Sequence, residues 1–158
     1  MPSAGVQVET IVLMDRTMLV KGAIDEGVML AIHNAAVVGA RTAAGITSDM
    51  GAVDSGALMR SWYAVSHIDN GYIPAAAAAE NAYASKYPDK ELTLADPVEA
   101  PFSPYESLVA SAAGHHPDVE FGTTYMPARP ILTTTASVMR LRAPDTVIKT
   151  LQEVLEKL

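Results

Sequence analysis

Asp54 and Ser55 are of the residue types that act as base and nucleophile in covalent catalysis. Adjacent side chains do not readily align for proton transfer, and no histidine is tied to this pair by its spacing in the sequence. With Gly56 they also match a turn, because Asp and Ser oxygens accept hydrogen bonds from nearby backbone N–H groups and glycine adopts positive φ. The pattern therefore predicts a turn rather than a catalytic centre.

Two of the four histidines, His115 and His116, are adjacent, as in some metal sites. On a strand they would face opposite ways, and no nearby pattern supplies further ligands, so we expect a solvated turn before Pro117. His33 and His67 are expected to be surface or packed residues. The sequence contains no HExxH motif, no phosphate-binding glycine loop and no Gly-x-Ser-x-Gly elbow. It therefore predicts no catalytic residues, no cofactor and no metal, and a protein that is not an enzyme.

Glu120 and Arg129 form the most informative charged pair. Pro127 and Pro130 flank Arg129 closely and restrict its backbone, so its planar guanidinium is suited to a bidentate contact with a carboxylate. That contact can lie within one subunit or between subunits. The alternative is a solvent-facing Glu120 on a strand and an Arg129 without a partner. The restricted loop favours an interface.

The composition is that of a folded, weakly charged domain. The 158 residues suit one domain, and 49% of them are apolar. Charged residues make up 18%, against about a quarter in typical proteins. Such a surface indicates coverage by neighbouring subunits.

The net charge of −7, with 11 dispersed Lys and Arg residues, argues against tight binding to DNA phosphates. An acidic surface is still compatible with a passage through which DNA slides. The absence of cysteine excludes disulfides and thiolate metal sites. No signal peptide and no membrane span of about 20 apolar residues is expected, so the pattern predicts a soluble protein made in the cytosol.

Hydrophobic periodicity predicts the secondary structure of the first half. A strand is expected at residues 6–13, followed by a long helix from about residue 15 or 17 to Ala44. A second strand is expected at residues 61–68. The Asn70–Gly71 dipeptide that follows this strand predicts a β-hairpin whose second arm is short.

The second half is predicted to be more irregular. A helix is expected from residue 75 to about 87, then a proline-rich loop, then a short helix from Ser103 to Gly114. Residues 119–121 read as another core strand, and residues 131–141 as a helix that Pro144 ends or kinks before a final helix. The prediction is one α+β domain over residues 1–158: a small antiparallel sheet packed by a long N-terminal helix and C-terminal helices, with a loop-rich insertion at about 74–116.

Two segments of this sequence resemble the signature segments of one family. The first, Val53–Leu58 with Ser61, resembles a V-D-T-G-x-L-x-x-S turn; the second, Val119–Leu132, resembles V-E-F-G-T followed by M-P-A-R-P-F-L. The family comprises head-to-tail joining proteins, called neck or tail-completion proteins, of long-tailed double-stranded DNA phages. Ser55 stands where the family has Thr, and Ile131 where it often has Phe. The residues expected to form the interface and structural motif are Asp54, Ser55, Gly56, Leu58, Ser61, Glu120, Phe121, Gly122, Thr123, Pro127, Arg129 and Pro130.

The resemblance implies a virion structural protein of the phage neck, assembled in the host cytoplasm. Its copies would form a homo-oligomeric ring, expected to be a hexamer, between the connector or head-closure protein and the tail terminator or tail tube protein. DNA would pass through the lumen without sequence-specific binding, and no membrane is involved. The alternatives are a tail terminator or head-closure ring of the same neck and, in another class, a small cytosolic ligand-binding or hydrolytic α+β domain.

Overall fold

The N-terminal helix α1 spans Ala4–Asp49 in the computed structural model, which describes residues 4–157 and the side chains from residue 20 onward. The strand predicted at residues 6–13 is wrong, because that stretch is part of α1. Neither Gly nor Pro occurs at residues 6–21, so nothing in the sequence stops the helix. The helix also continues past the predicted end at Ala44, and Gly51 follows it with a φ of 64°.

The fold is α+β, as predicted: a long N-terminal helix, a two-stranded antiparallel sheet and C-terminal helices. The elements after α1 are α2 (Ala57–Arg60), β1 (Trp62–Val65), α3 (Tyr72–Lys86), β2 (Leu108–Ser111), α4 (His116–Phe121) and α5 (Ile131–Leu155).

Helices α1 and α5 pack against each other in opposite directions. Gly27 lies against Val154 and Gly39 against Met139, and a Cβ at Gly27 would lie 2.9 Å from Cγ1 of Val154. Glycine at position 27 therefore permits the close approach of α5. The tight contact of Gly39, at 2.8 Å, is with Cγ2 of Val109 on β2. Helix α5 runs through Pro144, so the predicted division into two helices is wrong. Packing along α1 offsets the backbone hydrogen bond that proline removes.

Strand β1 lies inside the predicted strand at residues 61–68. It pairs with β2 in an antiparallel register that places Trp62 opposite Ser111 and Val65 opposite Leu108. All four residues of β1 are buried. The sheet therefore connects the middle of the chain to the segment before α4.

The predicted hairpin at Asn70–Gly71 is wrong in its second arm. Only one bridge forms, between Val65 and Asn70, and Tyr72 begins α3. The chain reverses earlier than predicted, at residues 66–69, where the Ser66 N–H donates to the Asp69 carbonyl at 2.9 Å. The Gly71 N–H donates to the Ala64 carbonyl at 3.1 Å, so Asn70 and Gly71 belong to the returning arm. The alanine run that follows favours helix strongly enough to end the pairing.

The helix predicted from Ser103 to Gly114 is also wrong. Its start forms one turn, in which the Glu106 N–H donates to the Ser103 carbonyl at 3.2 Å, and β2 follows. The stretch 74–116, expected to be a loop-rich insertion, contains most of α3 and all of β2, while residues 87–107 contain no helix and only an isolated bridge.

Residues 119–121 belong to α4, not to the predicted core strand. Pro117 occupies the first turn of this helix, where its missing N–H leaves no hydrogen bond unmade. Gly122, with a φ of 76°, ends it. The apolar run was too short to distinguish a strand from one helical turn.

The main core lies where α1 meets β1, α4 and the start of α5. The indole N–H of Trp62 donates to Thr47 Oγ1 at 2.8 Å, and that hydroxyl donates to the Ala43 carbonyl at 2.7 Å. The buried apolar members of this core are Ala40, Ala43, Leu58, Trp62, Ala113, Val119 and Ile131.

The part of α1 from Val20 to Asp49 is long and apolar enough, by length and composition alone, to cross a membrane. From the sequence no such segment is expected. In this fold the helix packs against α5 and β1. A third of the apolar stretch is buried by these contacts, whereas Val20, Ile24 and Leu30 are exposed.

Candidate functional site

The two signature segments converge on one surface cleft. The cleft has a volume of about 610 Å³ and lies between residues 51–58 and residues 115–129. The first segment supplies the turn before α2, and the second supplies α4 with the loop after it. Residues separated by more than sixty positions in the sequence thus line a common surface.

The turn at Asp54–Gly56 forms as predicted, although Asp54 has a role beyond it. Gly56 has a φ of 81°, and the Ala57 N–H donates to Ser55 Oγ at 3.2 Å. The Asp54 carboxylate accepts hydrogen bonds from the Lys86 ammonium and, at 2.5 Å, from the Tyr87 hydroxyl.

The hydrogen bond from Lys86, and then that from Tyr87, lowers the pKa of the Asp54 carboxyl below its usual value. A carboxyl of lowered pKa that is already engaged by a cation is a weak base. Its contacts instead attach the turn to the end of α3. Sequence reasoning missed Lys86 and Tyr87, because no local pattern links them to Asp54.

Leu58 and Ser61 are buried residues that hold the first segment in place. Ser61 Oγ donates to the Leu58 carbonyl at 2.8 Å and lies 2.7 Å from Ser111 Oγ on β2. Ser61 has no exposed surface. These two signature residues therefore join α2 to the sheet.

Glu120 caps α5. Its carboxylate accepts the Leu132 N–H at 2.9 Å, the Thr133 N–H at 3.1 Å and the Thr133 hydroxyl at 3.0 Å. The residue is only 5% exposed, unlike the solvent-facing strand residue considered from the sequence. Burial raises the pKa of the Glu120 carboxyl, but these hydrogen bonds outweigh burial and hold it below the usual value.

His116 lies beside this cap. Its ring packs edge-on against Trp62, with centroids 4.9 Å apart. Its Nε2 atom is buried without a hydrogen-bond partner in the described structure, and lies 3.7 Å from Glu120 Oε2. Burial lowers the pKa of His116, and the Glu120 carboxylate only partly opposes this. The solvated turn predicted here is therefore wrong for His116, which starts α4.

The loop after α4 is closed on itself. The Thr123 N–H donates to the Met126 carbonyl at 2.8 Å, and the Arg129 N–H donates to the Val119 carbonyl at 2.8 Å. Phe121 is nevertheless 80% exposed and Tyr125 97% exposed. The second segment thus presents two aromatic side chains to the surface, one from the end of α4 and one from the hydrogen-bonded loop that follows it.

Arg129 is half-buried in the wall of the cleft. Asp118 and His115 also line the cleft. Its guanidinium makes no ion pair with any residue at positions 20–157. The structure therefore does not join Glu120 and Arg129 within the chain: the carboxylate is used by α5. Pro127 and Pro130 lie on either side of Arg129 and are exposed.

No group of three His, Asp or Glu side chains in the described part of the chain is placed to hold a metal ion. His33 bonds to Ser66 Oγ at 2.9 Å and His67 to the Pro101 carbonyl at 2.5 Å.

Comparison with family models, curated proteins and solved structures gave no match.

Proposed function

We propose that this protein is a structural subunit of the neck of a long-tailed double-stranded DNA phage. Its copies form a homo-oligomeric ring, a hexamer, that joins the connector side of the head to the tail tube. The proposal rests first on the resemblance of residues 53–61 and 119–132 to the neck and tail-completion family. By that resemblance the protein is part of the virion and is assembled in the host cytoplasm.

The observation that carries the proposal is the convergence of both segments on one cleft, next to the exposed Phe121 and Tyr125. Large exposed aromatic side chains next to each other are typical of interaction surfaces. A half-buried Arg129 in the cleft wall offers a bidentate donor to a carboxylate of a neighbouring subunit. A ring needs such directional contacts, because its interfaces must close at a fixed angle.

The charge of the chain supports a role around moving DNA. With a net charge of −7, a lumen formed by this protein repels phosphates rather than binding them. We expect no sequence-specific contact between the protein and the DNA that passes.

The assembly state tests the proposal. Light scattering and electron microscopy of the purified protein are expected to show a ring of about six times 16.7 kDa with a central opening. Phe121→Ser with Tyr125→Ser should weaken assembly, while Leu141→Ser, an equally apolar change at an 80% exposed position of α5, should not. A monomer at every concentration, alone and with neighbouring neck proteins, would overturn the proposal.

The tail terminator and head-closure roles predict the same ring but different partners. Co-purification with assembled tails and not with DNA-filled heads would assign the terminator role. The 610 Å³ cleft also favours a second class, a small ligand-binding domain. That function predicts a monomer or dimer that is stabilised against heat by a small molecule.

A further inference from the structure

A second groove lies between α1, β1 and α3 and meets the first signature segment at Arg60. Its volume is about 340 Å³, and small side chains line much of it. Trp62 and Tyr63 of β1 form part of its wall. The small lining residues, which leave space for a large apolar group, are Ala40, Ala44, Ala64, Gly71, Ala75 and Ala78.

The edge of β1 that lies opposite β2 is already covered in part, by Asn70 and Gly71. Strand β1 has a single partner strand, and the Ala112 N–H donates to the Ser61 carbonyl at 2.9 Å on the β2 side. Because backbone groups alternate in an antiparallel pair, those of Trp62 and Ala64 point to the other side. The Ala64 carbonyl there accepts the Gly71 N–H at 3.1 Å, while the N–H and carbonyl of Trp62 have no strand partner. Trp62 is itself only 7% exposed, so the groove presents apolar surface rather than an open strand edge.

The rim of the groove is positively charged. Arg41 of α1 and Arg60 of α2 are exposed there, and neither makes an ion pair with a described residue. Asp69 and His33 also contribute to the lining. Two arginines against one aspartate leave a net attraction for an acidic partner.

The chain carries a segment with the complementary properties. Phe102 is fully exposed and lies between Glu99 and Glu106. Tyr105, in the same turn, is half exposed. We call residues 99–106 the acidic tip.

The base of the acidic tip is held firmly. His67 Nε2 bonds to the Pro101 carbonyl at 2.5 Å, and Ser107 Oγ donates to the Ile32 carbonyl at 3.0 Å. Pro104 further restricts the backbone. A segment whose backbone is already fixed loses little conformational entropy on binding. The Phe102 side chain, however, is not covered by any part of its own chain.

We propose that the groove between α1, β1 and α3 binds the acidic tip of a second copy of this chain. Phe102 enters among the small side chains, and Glu99 and Glu106 face Arg41 and Arg60 of the neighbour. This inference rests on the proposed ring and names one of its contacts. It also gives the exposed phenylalanine and the unpaired arginines a common role.

Matched variants in sedimentation and light-scattering measurements test this contact. Phe102→Ser, or Arg41→Glu with Arg60→Glu, should raise the dissociation constant for self-association at least about tenfold. Leu141→Ser is the control and should leave it unchanged. Mixing the Phe102 variant with the double arginine variant should restore association between the two, because each supplies the surface that the other lacks. Circular dichroism checks that every variant is folded.

The outcomes separate the contact from the function. If wild type forms rings and both variants form them equally well, the contact is wrong and the neck function stands. If the tip and groove support only a closed dimer, the contact stands and the ring is wrong. If the double arginine variant assembles normally but loses affinity for duplex DNA, the groove belongs to DNA and the proposal is overturned.

Discussion

Removing the charge of Glu120 should destabilise the fold, because its carboxylate is the N-terminal cap of α5. Three donors, from Leu132 and Thr133, lie 2.9 to 3.1 Å from its two oxygens. In Glu120→Gln one oxygen becomes an amide NH₂ that faces an N–H donor, so one buried donor loses its acceptor. A buried unsatisfied donor costs about 1–3 kcal/mol, and we expect about 2 kcal/mol here. For a chain of this size that is a fall of about 4–8 °C in Tm.

The assay is urea and thermal unfolding followed by circular dichroism, at one fixed protein concentration because assembly also stabilises the chain. Glu91→Gln removes an exposed carboxylate and is the matched control, expected to change stability by less than about 0.5 kcal/mol. The reasoning is refuted if the Glu120 and Glu91 variants unfold alike at neutral pH.

The same cap predicts a pH dependence. The folded-state pKa of Glu120 lies below its usual 4.5, so the ionised carboxylate stabilises the fold above that pH. This stabilisation is lost as the pH falls through the folded-state value. The difference in unfolding free energy between wild type and Glu120→Gln should therefore narrow as the pH is lowered below 4.5. A difference that stays constant under acid conditions would contradict the assigned role.

Two further substitutions test the local geometry, each by chemical unfolding. Gly122→Ala should lower the free energy of unfolding by more than about 1 kcal/mol, because the φ of Gly122 is 76° and a Cβ there would lie 2.7 Å from the Ala128 nitrogen. Gly45→Ala in α1 is the control: a Cβ there meets no neighbour, so the change should be neutral or stabilising. Thr47→Val leaves the indole N–H of Trp62 without its acceptor and should cost about 1–3 kcal/mol, with a changed emission from this only tryptophan. A stable Gly122→Ala, or unchanged emission and stability in Thr47→Val, would count against the described contacts.

The long helices were predictable because their signals extend over many residues. The helix over residues 20–44 and the start of α5 after Pro130 are present as predicted, and Gly56 adopts the positive φ that its turn requires. Val20 and Ile24, which the periodicity assigned to the apolar face of α1, are nevertheless exposed. These features depend on local sequence and on periodicity. Their ends were misjudged where no residue marked a stop.

The sheet was less predictable, because its partner strand is set by a distant contact. The capping signal at Ser103 and Pro104 is real, yet it forms only one turn. Pairing with β1 then draws residues 108–111 into β2. The Asn70–Gly71 signal likewise gives no hairpin turn at that position, because the chain reverses at residues 66–69 and α3 begins at Tyr72. At Ser103 the pairing with β1, and at Asn70–Gly71 the start of α3, determined the secondary structure. A capping pattern or an Asn-Gly dipeptide contains no information about such distant or following elements.

The sequence marked the two signature segments but not where the fold places them. The two segments were identified from sequence, whereas their convergence and the Asp54–Lys86 contact depend on the fold. Glu120 and Arg129 were expected to act together, and the structure instead gives the carboxylate to α5. A sequence pattern marks positions, but it cannot distinguish a residue that supports a surface from one that forms it.

The structure makes that distinction, and the distinction is testable. Ser61, Glu120 and Gly122 are internal or conformationally required, so changes there should lower stability and disturb assembly together. Phe121 and Tyr125 are exposed, so changes there should weaken assembly while the unfolding free energy of the dissociated chain stays within about 0.5 kcal/mol. Measuring both quantities for both groups tests whether the second segment is a contact surface on a rigid support. If the exposed aromatic residues affect stability as strongly as Glu120, the loop belongs to the core of the isolated chain and the proposed interface must lie elsewhere.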